Sequence, residues 1–440
     1  MEGQEKNPSS RLGLEAIREL ISAEEPDVLV QEVEEEPGSG RGDNYTSMLY
    51  RLKVKGLKRL ANNGGDEPWE RSMIYKVLPE SREQRDFFKS ETLFRNEVVF
   101  YTKVWPVMAE LQTGGRTVFT GVAKVYMARD DLIAMEDLRA RGFKMADRRK
   151  GLQVEKLKRV LKALAGFHAL SLTLRDLRPQ AFAKLSRQDA EPGESIQETL
   201  FRMENATWYR RYYRAATSNA IKMVSEGLPE NLETRRDEIL GKFGAFLRED
   251  SFFRTMCELT SHQGPLTVFC HGDCWTNNFL FRDTDGAAPS PSEDSEAVCL
   301  VDFQLSRVGS LALDLAYLFY CCTSGDVRKA FMNQLLQHYH RHLMSSLCTL
   351  NPTAESTRDP IVMWSLLTEE MRRCGRFGLG LAVDMLPIST CASDQAPDLY
   401  EGQEASAEVE HSMLVPPPAN AECTRLMTDL VVELIYNRAL

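Results

Sequence analysis

The spacing of apolar residues changes once along this chain of 440 residues, and that change limits the fold more than any other feature. Up to about residue 140 the pattern is mostly that of half-buried strands, and beyond it the three-to-four spacing of helices takes over. The stretches 28–35 (VLVQEVEE), 45–55 (YTSMLYRLKVK), 73–79 (MIYKVLP), 117–127 and 131–137 read as strands. A short amphipathic helix at 10–23, a polar loop at 56–70 and a helix at 86–105 accompany them. Residues 37–44, PGSGRGDN, form a glycine-rich turn between the first two strands. Helical patterns then fill 153–171, 195–225, 231–250, 310–322, 325–348, 361–374 and 423–438. The expectation is an α+β chain of two lobes: a small antiparallel-sheet N-lobe over 1–138 and a larger, mainly helical C-lobe over 139–440. Two segments rich in Ser, Ala, Glu and Pro, 283–297 and 389–422, read as flexible insertions.

Composition narrows the function. Hydrophobic residues make up 43% of the chain, enough for a large core. The net charge of −10 argues against a nucleic-acid partner, which calls for a basic stripe. No stretch approaches the roughly 20 apolar residues of a membrane helix, and the N-terminal MEGQEKNPSS lacks the apolar core of a secretory signal. All ten cysteines follow residue 256 with no CxxC pair, so reduced thiols in a cytoplasmic protein are expected. His338 and His342 share a helix face, which suits a solvated surface better than a metal site.

Between two apolar runs stands FCHGDCWTNNFLF, 269–281. His271, Asp273 and Asn278 give H-x-D-x-x-x-x-N, the catalytic-loop spacing of kinase-fold phosphotransferases. The residue types fit that chemistry. Asp273 can orient an acceptor hydroxyl and take its proton, Asn278 offers an amide oxygen to Mg²⁺, and His271 braces the loop. CLVDFQ, 299–304, is an apolar strand ending in Asp302, a second ligand for the same ion. Upstream, Lys76 sits in a strand with Ile74 and Leu78 on its face, and Glu97 lies on the apolar side of the next helix, between Phe94 and Tyr101. Each is costly to bury alone; a Lys76–Glu97 pair resolves both and aims the ammonium at nucleotide phosphates. Gly38, Gly40, Gly42 and Asn44 then fall where a phosphate-covering loop belongs, and Met135, Glu136 and Leu138 where a hinge backbone would hold adenine.

These segments resemble the ecdysteroid kinase-like proteins of insects, relatives of choline and aminoglycoside kinases. GDNYTSMLYRLKV, IYKVLPES, LFRNEVVFYTKVWP, MEDLRARGF, FHALS, HGDCWTNNFLF and VDFQLSRVGSLALDLAYLFY run in family order from about residue 38 to 322, and FGLGLAVDMLP continues the likeness. The resemblance implies a two-lobed protein-kinase-like fold that uses ATP and Mg²⁺ to phosphorylate a small-molecule hydroxyl, with Lys76, Glu97, Asp273, Asn278 and Asp302 in the roles above. It points to an ecdysteroid or another apolar alcohol, dietary toxins and glycosides included. Trp275 stands where protein kinases carry lysine, and Gln304 replaces the glycine after Asp302–Phe303, so a protein acceptor is not expected. Asp314 reads as a structural brace of the catalytic loop. Phe377, Leu379, Leu381 and Met385 are candidates for an apolar acceptor wall, or for a packed helix end. In WYRRYYR, 208–214, Trp208 and Tyr212, with Tyr209, are expected in the core. Two other readings stay open: a choline- or aminoglycoside-type kinase, and an inactive kinase-fold binding protein.

Overall fold

Alternation in the first third of the chain yields long strands because each residue pair turns one side chain to either face. The computed structural model describes residues 12–38, 47–60, 65–79, 82–283, 298–352, 358–392 and 419–440. Helix α1 (Leu14–Glu24) precedes an antiparallel meander of β1 (Val28–Pro37), β2 (Met48–Arg59) and β3 (Asp66–Val77). Strands β4 (Val125–Arg129) and β5 (Leu132–Glu136) complete a sheet of order β1-β2-β3-β5-β4. One face takes Ile17 and Ile21 of α1 against Val54, Met73, Tyr75 and Ala134. The other face carries Ile74, Lys76, Ile133 and Met135, and its apolar members join the main core. A helical run crosses it: α2 (Arg82–Phe88), α3 (Ser90–Val99), a wide turn at Phe100–Val104, and α4 (Trp105–Ala109).

The remainder is mainly helical. Helices α5 (Val154–Leu177), α6 (Pro179–Leu185), α7 (Ala206–Gly227), α8 (Arg236–Phe246) and α9 (Glu249–Ser261) precede the segment 267–310. Helices α10 (Leu311–Cys322), α11 (Gly325–Leu350), α12 (Pro360–Thr390) and α13 (Ala421–Tyr436) follow it. Two small antiparallel ladders support the segment itself. Strand β7 (Thr267–Cys270) pairs with β10 (Arg307–Ser310), and β8 (Phe279–Phe281) lies between β6 (Lys144–Met145) and β9 (Val298–Leu300). Every residue of α10 is buried, so it acts as the central post of the C-lobe. Each Leu or Phe buried there stabilises the fold by about 1.5–3 kcal/mol.

Several sequence expectations need correction. The apolar run at 117–124 is not a strand; the Gln112 side chain accepts the Val118 and Phe119 N–H groups, both at 2.9 Å, and satisfies that backbone instead. The run leads to Gly121, whose carbonyl accepts the Leu300 N–H at 2.8 Å and ties the two lobes. The polar loop at 56–70 shrinks, since β2 reaches Arg59 and β3 begins at Asp66. Residues 195–202 form a loop before α7, and α9 lies largely outside the helices expected from the pattern. On α7 the fully packed rings are Tyr209 and Tyr213, while Trp208 and Tyr212 are half-buried. Of the insertions, 284–297 and 393–418 lie outside the described residues, while Asp283 bonds Arg159 at 2.7 Å, Thr390 ends α12 and Ala421 opens α13.

Candidate active site

The polar cluster between β7 and β8 is a loop pinned from beneath. Asp314, in the first turn of α10, accepts the His271 N–H at 2.7 Å and the Gly272 N–H at 2.9 Å. Its Oδ2 also meets His168 Nε2 at 3.0 Å, and His168 Nδ1 meets the Tyr339 hydroxyl at 2.7 Å. Burial opposes ionisation of Asp314, but these donors outweigh it and hold its pKa below the usual value. Ser310 is the actual N-cap of α10, so Asp314 braces the loop from within the helix. Gly272 needs its left-handed φ of 88°, and any Cβ there would stand 1.8 Å from the Leu305 carbonyl oxygen.

His271 ties this loop to the strand carrying Asp302. Its Nδ1 accepts the Asp273 N–H at 3.2 Å, which makes Nε2 the donor to the Val301 carbonyl at 3.0 Å. Burial lowers its pKa, so the ring is a neutral brace. Both carboxylate oxygens of Asp273 are engaged: Asn278 Nδ2 donates to Oδ2 at 2.8 Å, and the Tyr317 hydroxyl donates to Oδ1 at 2.8 Å. Burial and the nearby Asp302 charge push Asp273 up to about 7, against the pull of those two donors.

Three charges from three parts of the chain meet opposite it. Lys76 Nζ lies 2.6 Å from Glu97 Oε2 and 2.8 Å from Asp302 Oδ1. Lys76 and Glu97 are almost wholly buried, whereas the Asp302 side chain is 19% exposed. Burial alone would lower the Lys76 pKa; the carboxylates of Asp302 and Glu97 reverse this and keep it an ammonium. Burial pushes Glu97 up to about 7, with Lys76 opposing the shift. Asp302 adopts φ 66°, an uncommon left-handed conformation for a residue with a Cβ. Phe303 behind it stacks on Phe100 at 3.7 Å and touches the His271 ring at 4.7 Å.

The structure therefore brings Lys76, Glu97, Asp302, His271, Asp273 and Asn278 together. Gly38 is described, its N–H bonded to the Leu49 carbonyl at 2.8 Å, but Gly40, Gly42 and Asn44 lie outside the described residues. At the residues expected to form a hinge, Met135 pairs with Ile74 in the sheet, the Glu136 N–H donates to the Lys124 carbonyl at 2.9 Å, and the Leu138 carbonyl accepts the Phe143 N–H at 3.1 Å. Those two backbone groups are spent within the chain. The region 376–387 is a packed helix rather than an open wall: Phe377 and Leu379 are buried, Tyr320 occupies the space beside Gly378, and Met256 that beside Gly380. Met385 and Asp384 are its half-buried members.

Four residues bonded around this cluster escaped the sequence reading. Tyr317 lies one turn beyond Asp314 on α10, a spacing that could have placed it beside the loop. Asn96, adjacent to Glu97, donates to the carbonyls of Gln304 at 3.1 Å and Ser306 at 2.7 Å and so fixes α3 to the segment after Asp302. Arg307 is buried between the rings of Phe201 and Phe377, with Glu198 Oε2 at 2.8 Å. Asp137, next to the expected hinge residues, takes Arg51 at 2.7 Å and Ser72 at 2.6 Å. No local pattern announces the last three, because their partners lie far away in sequence.

The sequence model of the ecdysteroid kinase-like family matches residues 41–352, well over half of the chain and the whole span from β2 to the end of α11. The chain belongs to the ecdysteroid kinase-like family. This ecdysteroid kinase-like chain is thus a small-molecule phosphotransferase with a hydroxyl acceptor, on a two-lobed α+β fold. No curated protein matches it. Among solved structures, a microcompartment-associated aminopropanol kinase is similar at 12% identity and a TM-score of 0.35, over 96% of this chain and 98% of that one. A ternary complex of APH(2")-IIa with streptomycin and ATP is similar at 13% identity and a TM-score of 0.32, over 93% and 97%. In this ecdysteroid kinase-like protein no helix among the described residues is long and apolar enough to cross a membrane, and all ten cysteines are free thiols.

Proposed function

We infer that the cleft transfers the γ-phosphoryl group of ATP, with Mg²⁺, to a hydroxyl of an ecdysteroid or a similar apolar alcohol. The observation that carries this reading is the convergence of Lys76, Glu97, Asp302 and the Asp273–Asn278 loop, four separate segments of the chain, onto one cluster. In this reading residues 1–138 bind the nucleotide and 139–440 supply the catalytic loop and the acceptor site. Lys76, steadied by Glu97, presents its ammonium to the phosphates. Asp273 orients the acceptor hydroxyl and takes its proton; a carboxylate poised near 7 is well matched to that transfer.

The residues present fit a hard cation. Asn278 commits its Nδ2 to Asp273, which leaves the amide oxygen as the group it can offer, and Asp302 holds Lys76 through Oδ1 while its side chain reaches solvent. One carboxylate and one amide oxygen suit Mg²⁺, which draws its remaining ligands from phosphate and water. When bound, the ion neutralises phosphate charge.

Trp208 and Tyr212 of α7, stacked at 5.3 Å, offer a half-buried aromatic face, and the Tyr212 hydroxyl donates to Asp384 at 3.0 Å. Burial pushes Asp384 up to about 6 with only that phenol opposing it, so it can accept a second hydroxyl of a flat alcohol. Lys89 already stands over the Trp208 ring at 5.7 Å, which disfavours the cationic acceptors of choline- and aminoglycoside-type kinases. The test is incubation with ATP, Mg²⁺ and a panel of steroid, phenolic and glycosidic alcohols plus choline and an aminoglycoside, read as the mass gain of one phosphoryl group. Transfer to ecdysteroids is the expected result. Transfer to a glycoside alone moves the reading to xenobiotic alcohols. No transfer and no ATP binding returns the chain to an inactive binding fold.

A further inference from the structure

A second cavity lies at the opposite end of β7 from the catalytic loop. It encloses about 340 Å³ between α12, the loop from α9 to β7, and the turn after α13. That volume is within the range of small-molecule sites. Its lining is apolar at Pro265, Leu366 and Ala439 and charged elsewhere, with Arg372, Arg373, Arg376 and Arg438 facing Glu369 and Glu370 in number four to two. Arg373 is clamped on Glu370 by two bonds of 3.1 and 2.6 Å. Arg372, Arg376 and Arg438 make no salt bridge to another described residue. Behind the loop, Arg175 spends its guanidinium on the carbonyls of Gly264 and Thr267 at 3.1 and 2.8 Å, so its charge is not cancelled by those partners. On a chain of net charge −10, convergence of this much positive charge needs a reason. Guanidiniums left side by side repel, and a bound anion relieves this with charge-assisted, bidentate hydrogen bonds.

We propose that this cavity is a binding site for a small molecule bearing a phosphate or carboxylate group, separate from the nucleotide cleft. Arg372, Arg376 and Arg438 grip the anionic group, Arg373 stays fixed by Glu370, and the apolar lining takes the carbon skeleton.

The test is calorimetric titration of the full chain, saturated with Mg²⁺ and a non-hydrolysable ATP analogue so that the γ-phosphate position of the nucleotide cleft is also filled, with probe-into-Mg²⁺ blanks subtracted. The probes are inorganic phosphate and citrate, run in parallel to tell a phosphate site from a polycarboxylate site. Wild type should bind at least one of them with a millimolar or lower Kd. R372Q, R376Q and R438Q should each weaken it roughly tenfold, while R178Q, a surface arginine paired with Glu110 elsewhere, should leave it unchanged. These side chains are exposed, so the variants keep the fold, and equal melting temperatures verify that. Absence of binding in wild type, or equal affinity in wild type and all three variants, overturns the proposal. So does binding of an acidic peptide such as oligoglutamate with no response to either small anion.

Discussion

Two buried aspartates within one short stretch of structure behave in opposite ways. Asp314, beneath the catalytic loop, is 1% exposed and its pKa is lowered; Asp273, at the tip of that loop, is 7% exposed and is pushed up to about 7. Burial acts on both in the same direction, so burial does not separate them. Their partners do. Asp314 collects two backbone N–H groups and an imidazole, whereas Asp273 has a phenol and an amide and faces the charge of Asp302. A carboxylate with enough donors becomes a strut, and one short of donors beside a like charge becomes a base.

The largest effect expected from this contrast is on turnover. Asp273→Asn keeps shape and removes the proposed base, and should cut kcat by about 10²–10⁴-fold with ATP affinity intact, read by steady-state kinetics and nucleotide titration. Asp314→Ala should do the reverse and act on stability. It strands the His168 imidazole and two N–H groups, and should lower the unfolding free energy by about 3–5 kcal/mol in chemical denaturation. Tyr317→Phe lies between them. It removes one donor from Asp273, and should reduce kcat roughly tenfold while changing KM for ATP little.

The smallest effect is the dependence of stability on pH. The folded-state pKa of Asp273 is raised, so its contribution is fully present below its unfolded value and is lost as pH rises through about 7. The melting temperature of Asp273→Asn relative to wild type should therefore climb from about pH 4 and level off above about 7. For Asp314 the sign is opposite: its stabilisation is present above the unfolded value and is lost as pH falls through the lowered folded value. An advantage of Asp273→Asn that shrinks with rising pH would break the comparison.

Much of this contrast could be read from the sequence, because its chemistry is written locally. Asp273 and Asn278 share one loop, Asp302 ends its strand, and Lys76 and Glu97 each occupy an apolar face that made burial evident. Most of the N-lobe sheet was legible too, through partial alternation and short apolar runs of strand length bounded by turn residues. What stayed hidden was held by long-range partners. Residues 117–124 look like a strand, but the Gln112 side chain takes their N–H groups. For residues 376–387 the sequence left an apolar wall and a packed helix end equally open, and Tyr320 and Met256, filling the space their glycines leave, decide for the packed helix. Asn96 and Arg307 find their bonds more than a hundred residues away, where no periodicity points.

The claim on which all of this rests is that Asp302 belongs to a Mg²⁺-dependent nucleotide site. Its most direct test is ATP titration of wild type and Asp302→Ala, each with Mg²⁺ and with excess chelator. The account predicts that Mg²⁺ strengthens ATP binding to wild type and that this dependence disappears in Asp302→Ala, with a smaller loss in Asn278→Ala because a neutral amide gives a hard cation less than a carboxylate does. The same Mg²⁺ dependence in wild type and Asp302→Ala would contradict it.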